Sequence, residues 1–181
     1  MARPPFCIWL TGLSGAGKST IANQLEVDLK FLGRQCFVLD GDKIRLGLCH
    51  DLGFSPADRS ENIRRVAEVA RLFVDAGLIV IVAFISPFKK QRDFARSLFE
   101  PHKFVEIYLD TPLFECELRD PKGLYAKARR GELIDFTGID SPYEVPISPE
   151  IKIDTSNITC EGAVQMIIDY IGAGSDKCDN T

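Results

Sequence analysis

The sequence predicts a three-layer α/β domain, a mainly parallel sheet covered by helices on both faces. Three observations carry that expectation. Short apolar runs alternate with helical periods along most of the chain, the order that builds parallel sheets through crossover helices. The run LIVIVAF at residues 78–84 is apolar at every position, as a strand covered on both sides requires. A glycine-rich loop stands between the first apolar run and the first helical period.

The elements follow in order. FCIWL at residues 6–10 is a buried strand. From Lys18 the positions Ile21, Ala22, Leu25, Leu29 and Leu32 keep a helical period, and Gly33 is the stop. CFVLD at residues 36–40 is the second strand, followed by an irregular acidic turn. Ser55, Pro56 and Asp58 then read as a helix cap, first position and third position. That helix runs to Gly77, before the third strand at 78–84. Ser86 and Pro87 read as the start of the next helix, with Ser86 as its cap. FVEIYL at 104–109 is a strand, Thr111 and Pro112 begin a helix, IKID near Ile151 is the last strand, and residues 161–172 close the chain as a helix.

The chain has 181 residues, the size of one domain with a full core. The expected division is a single domain over residues 1–172 and a frayed tail over 173–181. Net charge is −4, which speaks against nucleic acid as a partner. The cysteines Cys7, Cys36, Cys49, Cys116, Cys160 and Cys178 show no C-x-x-C spacing and are expected to be reduced thiols, mostly buried. The N-terminal apolar run is too short for a signal peptide, and no apolar run approaches the roughly 20 residues of a membrane span. A cytoplasmic protein without a membrane partner is expected.

GLSGAGKST places Gly12, Gly15, Gly17, Lys18 and Ser19 in the full G-x-x-x-x-G-K-[ST] spacing. The glycines let backbone N–H groups turn toward an anion, and the following helix adds its positive end. Lys18 reaches outer phosphates and the Ser19 hydroxyl suits Mg²⁺. A guanine-specific N-K-x-D and a motor-type Asp-Glu strand end are both absent. Acids follow the second strand instead, at Asp40 and Asp42, where ligands bind in open α/β sheets. One can accept a proton from an acceptor hydroxyl and the other orient Mg²⁺-bound water; an Asp/Gly-rich turn without such a role is the alternative. Arg45, Arg59, Arg64 and Arg65 follow, with Asn62 among them. Guanidinium groups suit phosphate or sulfate. Arg59 and Asn62 share one helix face, whereas at least one of Arg64 and Arg65 belongs to the solvated face. Phe54 is a hydrophobic staple or a platform for a flat base.

With the segments LDGDKIRLGL, LGFSPADRSENIRR, FISPF, RDPKGLYAKARRG and FTGIDSPYEVP added to that loop, the sequence closely resembles the adenylyl-sulfate kinases over residues 8–171. The resemblance implies a P-loop kinase that uses Mg-ATP to phosphorylate the ribose 3′-OH of adenosine 5′-phosphosulfate. It implies ATP contacts at Gly12, Leu13, Ser14, Gly15, Ala16, Gly17, Lys18, Ser19, Thr20 and Arg119. It implies acceptor contacts at Asp42, Lys43, Ile44, Arg45, Phe54, Arg59, Ser60, Glu61, Asn62, Ile85, Ser86, Lys122, Asp135 and Phe136, with Phe54 and Phe136 sandwiching the acceptor adenine. Catalytic roles fall to Lys18, Asp40 and Asp42, and Mg²⁺ to Ser19 and, through water, Asp40. Residues 119–138 resemble a mobile lid. Ser86 matches a serine to which the family assigns a phosphoserine intermediate; a helix-cap role and direct transfer are the expectation here. Lys43 departs from the D-G-D-N often seen in the family. A homodimer is the implied assembly. Another small-alcohol kinase, for a sugar, shikimate or a nucleoside, and a non-enzymatic nucleotide-binding regulator are the competing readings.

Overall fold

A computed structural model describes residues 4–173. The elements are β1 (Cys7–Gly12), α1 (Lys18–Phe31), β2 (Cys36–Asp40), α2 (Gly41–Leu46), α3 (Pro56–Asp75), β3 (Ile79–Ala83), α4 (Lys89–Ser97), β4 (Phe104–Leu109), α5 (Leu113–Arg119), α6 (Leu124–Arg129), β5 (Ile151–Ile153) and α7 (Cys160–Ala173). The five strands form one sheet in the order β2-β3-β1-β4-β5, and each neighbouring pair is parallel.

The three layers follow from alternation along the strands. On β1, Ile8 and Leu10 join one core with Ile81 of β3 and Ile107 of β4, against Ile21 and Leu25 of α1 and Ile167 of α7. Cys7 and Trp9 point the other way, into a second core with Val80 and Val82 of β3 and Ile63, Val66 and Ala70 of α3. Both faces of the sheet are thus apolar, which is why residues 78–84 carry no polar position.

The predicted strands and long helices are found within a residue or two. Ser55 caps α3 as the sequence indicates: its hydroxyl accepts from Asp58 N at 3.1 Å and donates to Asp58 Oδ2 at 2.7 Å. Two short helices have no sequence signature. α2 starts where an irregular turn was expected, and its cap is the side chain of Asp40. α6 lies inside the expected lid, with Tyr125 and Ala128 buried. The helix start predicted at Ser86 is a misreading. α4 begins at Lys89 after an extended Phe88 and has no side-chain cap. Cys7, Cys36, Cys49 and Cys116 are buried free thiols and Cys160 is partly exposed; Cys178 and the tail from residue 174 lie outside the described residues. Among the described residues no helix is long and apolar enough to cross a membrane.

The fold puts chemistry at one rim. β1, β2 and β3 end at Gly12, Asp40 and Ala83, and the crevice beyond such strand ends is where open α/β sheets bind ligands.

Candidate active site

A cleft of about 940 Å³ opens at that rim. Its floor is the loop between β1 and α1. Gly12 makes the loop possible by its close approach to β4: a Cβ there would stand 2.8 Å from Leu109 O. Gly17, at φ 96°, caps α1 without a side-chain oxygen. The first-turn N–H groups of α1 therefore have no side-chain partner and can serve an anion. Lys18 curls back over the loop, donating to Gly12 O at 3.0 Å and Leu13 O at 2.6 Å. Burial holds its ammonium down at about 8, because a charged amine loses water there.

Asp40 sits beside the loop, 9% exposed. One carboxylate oxygen accepts from Ser19 Oγ at 2.6 Å and the other from Asp42 N at 3.0 Å. A serine hydroxyl and a carboxylate meeting next to a phosphate loop form the partial, hard-oxygen donor set that suits Mg²⁺, which takes its remaining ligands from phosphate and water. Asp42 lies two residues further on, in the first turn of α2, exposed, in an ion pair with Lys122 from the segment after α5.

The far end of the cleft is basic and aromatic. Arg45 stacks over the Phe54 ring at 4.3 Å and donates to Leu52 O and Gly53 O. Arg59 donates from Nε to Phe54 O at 2.8 Å and from Nη1 to Thr137 Oγ1 at 2.9 Å, and also reaches Asp135 O. It thereby ties α3 to the segment after α6. Burial and the neighbouring Arg45 lower its pKa below the usual value. Asn62 is buried in the cleft wall, and its Oδ1 has no donor among the described residues. Buried acceptors rarely stay unpaired, so this oxygen suits a ligand hydroxyl or amine. Phe54 and Phe136 both line the cleft. Phe136 is buried and packs edge-on against Tyr125 at 5.0 Å, whereas Phe54 is exposed beneath Arg45. Tyr125 in turn donates to Ser14 O at 2.9 Å, so α6 rests directly on the phosphate loop.

Ser86 also lines the cleft, but its hydroxyl faces inward. Oγ accepts from Trp9 Nε1 at 2.9 Å and donates to Phe84 O at 3.3 Å. The residue is 2% exposed and left-handed at φ 41°. It caps no helix.

Of the residues proposed from sequence, Ser14, Gly15, Gly17, Lys18, Ser19 and Thr20 line the floor. Asp40, Asp42, Arg45, Phe54, Arg59, Asn62, Ile85, Ser86, Arg119, Lys122 and Phe136 line the walls. Gly12, Leu13, Ala16, Lys43, Ile44, Ser60, Glu61 and Asp135 do not reach the lining. Glu61 instead pairs with Arg64 and Arg65, which hold its carboxyl at about 2. Ser60 donates to Pro56 O and accepts from Gln91. Sequence reasoning missed one wall, formed by Thr155, Ile158, Thr159, Cys160 and Ala163 around the start of α7. Arg119 crosses to it, donating to Thr155 Oγ1 at 2.9 Å and Thr155 O at 2.8 Å. These residues lie well over 100 positions from the loop and carry no motif of their own; the only signal was a strand end followed by a helix start.

A phosphate loop, a carboxylate pair and a basic, aromatic pocket in one cleft define a P-loop kinase for a small anionic acceptor. The comparisons with known proteins agree. The adenylylsulphate kinase family model matches residues 4–154, and the chain belongs to that family. It is 60% identical over 169 residues to the adenylyl-sulfate kinase of Marinobacter nauticus, covering 93% of this chain and 85% of that one. It is 56% identical over 167 residues to that of Geotalea daltonii, covering 92% and 82%. Among solved structures, the Mycobacterium tuberculosis APS kinase in complex with AMPPNP and APS superposes with a TM-score of 0.89 at 46% identity, covering 93% and 98%.

Proposed function

We propose that this chain transfers the γ-phosphoryl group of ATP to the ribose 3′-OH of adenosine 5′-phosphosulfate, giving ADP and 3′-phosphoadenosine 5′-phosphosulfate. One observation carries the reading: a single cleft joins the phosphate loop to a wall holding Asp42, Arg45, Phe54, Arg59 and Lys122. That wall has a carboxylate for the hydroxyl, cations for the phosphosulfate and an aromatic face for the adenine. The mycobacterial structure, solved with AMPPNP and APS, supports the same ligand pair.

In this reading the loop N–H groups and Lys18 hold the outer phosphates, and Arg119 and the Thr155–Ala163 wall receive the donor nucleoside. Ser19 and Asp40 would hold Mg²⁺, which would neutralise part of the phosphate charge. Arg45 and Arg59 bind the phosphosulfate. The acceptor anion draws Lys122 from its pair with Asp42, and the freed carboxylate turns to the 3′-OH. O3′ then bonds to the γ-phosphorus as the bond to the β-bridging oxygen breaks. The hydroxyl proton passes to Asp42 and ADP leaves with the electron pair. Residues 119–138 act as the lid, closing Arg119, Lys122 and Phe136 over the ligands and excluding water as a competing acceptor.

The test is turnover of Mg-ATP with adenosine 5′-phosphosulfate beside gluconate, shikimate and adenosine. Preferential use of the phosphosulfate is expected; faster use of any other acceptor overturns the reading. A homodimer in the cytoplasm is the assembly and setting that accompany this reading. A monomeric mass in sedimentation velocity at working concentration would remove the dimer.

A further inference from the structure

We propose that Arg92 is a positioning residue for the phosphoryl acceptor, fixing residues 85–87 as a rigid wall of the cleft. The inference rests on the kinase reading above. Ile85, Ser86 and Pro87 line the cleft where β3 ends. Ser86 is left-handed although it carries a side chain. A residue stays in that region only when its surroundings over-determine it, and such places gather at ligand clamps.

The surroundings here do over-determine it. Thr11 Oγ1 donates to Ile85 O at 2.6 Å. Trp9 Nε1 donates to Ser86 Oγ at 2.9 Å. Arg92, 3% exposed on α4, donates from Nη1 to Ser86 O at 2.7 Å and from Nη2 to Glu144 O at 2.6 Å. Glu144 N donates to Pro87 O at 2.8 Å, and the Glu144 carboxylate accepts from Lys89 N. The guanidinium is thus the hub between the strap and the 144 segment. Its charge is met by Glu106 of β4 at 2.9 Å, and Glu106 also meets Arg96, which pairs with Glu150.

Stability alone is a poor reason for this arrangement. A buried ion pair is often no better than an apolar pair of the same volume. What an apolar pair cannot do is hold two backbone carbonyls from distant segments in a fixed fork, which is the property that distinguishes Arg from Lys. Among the described residues the hydrogen bonds and ion pair of this fork go to Ser86, Glu144 and Glu106 and not to the phosphate loop or the Thr155–Ala163 wall, so the donor half should be indifferent to it.

Arg92→Lys keeps the charge for Glu106 and loses the fork. The expected result is an acceptor KM raised by about tenfold or more, with the ATP Kd within about twofold of wild type. Trp9 is the one tryptophan of the chain, so its indole N–H signal in a nitrogen–proton NMR spectrum reports the strap directly. That signal should move in Arg92→Lys without any ligand. An unchanged indole signal, or acceptor KM and ATP Kd rising together, overturns the proposal. If Arg92→Lys does not fold, the double variant Arg92→Met with Glu106→Gln removes both buried charges and is read the same way. If wild type fails to phosphorylate adenosine 5′-phosphosulfate, the functional reading falls, and the indole signal of the variant still decides the clamp.

Discussion

Replacing Ser86 with alanine separates direct transfer from a phosphoenzyme route. The hydroxyl has two partners, Trp9 Nε1 at 2.9 Å and Phe84 O at 3.3 Å, and is 2% exposed. Its lone pairs are turned to the indole rather than to the cleft. A nucleophilic role would require rotating it out of a buried site, and neither partner is a base. Alanine removes the acceptor of a buried indole N–H, which costs about 1–3 kcal/mol. For a chain of this size that is roughly 2–12 °C in melting temperature, at about 2–4 °C per kcal/mol. Turnover should fall by less than about tenfold, because no group that contacts the reacting atoms is lost. The assay pairs ADP release under saturating substrates with urea unfolding of the same preparation. Incubating wild type with γ-labelled ATP and no acceptor should leave the protein unlabelled. Retained stability with turnover down by a factor on the order of 10³, the signature of a lost nucleophile, would refute this reasoning.

The remaining predictions concern the cleft. Asp42→Asn should lower kcat on the order of 10²–10⁴-fold if it takes the hydroxyl proton; a well-folded variant losing less than about tenfold removes that role. Arg59→Ala should weaken acceptor binding by about 1.5–3 kcal/mol, roughly tenfold to 150-fold in Kd by calorimetry; an unchanged Kd would show that Arg59 touches no ligand. Burial holds Lys18 at about 8 against an ordinary 10.5. ATP affinity should therefore be flat below pH 8 and fall above it by up to about tenfold per unit, with proton uptake on binding seen in buffers of different ionisation enthalpy. The sign for stability is the reverse: between those two values the unfolded chain holds more protons than the folded one, so this group's contribution rises with pH across the window. Constant ATP affinity between pH 7.5 and 9.5 would show that Lys18 is not the phosphate partner.

The fold was legible where period and punctuation agreed. Residues 78–84 read as a covered strand because every position is apolar, and α3 read from its Ser55–Pro56–Asp58 start. Ser86 misled because Ser-Pro resembles a helix start; in the structure Ser86 is left-handed, Phe88 is extended and α4 begins only at Lys89. α2 was missed because six residues carry less than two turns of period, and its cap, Asp40, reads equally well as a strand end. In the site, the phosphate loop was legible because its chemistry is contiguous. Asp42, Arg45, Phe54 and Arg59 were legible as chemistry, but the pairing of Arg45 with Phe54 and of Lys122 with Asp42 depends on tertiary placement. The Arg92–Glu106–Arg96–Glu150 network was invisible, since its members come from α4, β4 and the segment before β5 and each looks alone like a surface charge.

The most direct test of the account is the position of the new phosphate. Wild-type protein, Mg-ATP and adenosine 5′-phosphosulfate are incubated, and the product is read by phosphorus NMR with coupling to the ribose protons. One new phosphomonoester coupled to the proton on the ribose 3′ carbon, formed with an equal amount of ADP, is the expected product, and none is expected from the 3′-deoxy analogue. A phosphate at the 2′ position, or ADP released at the same rate with the 3′-deoxy analogue, would contradict it.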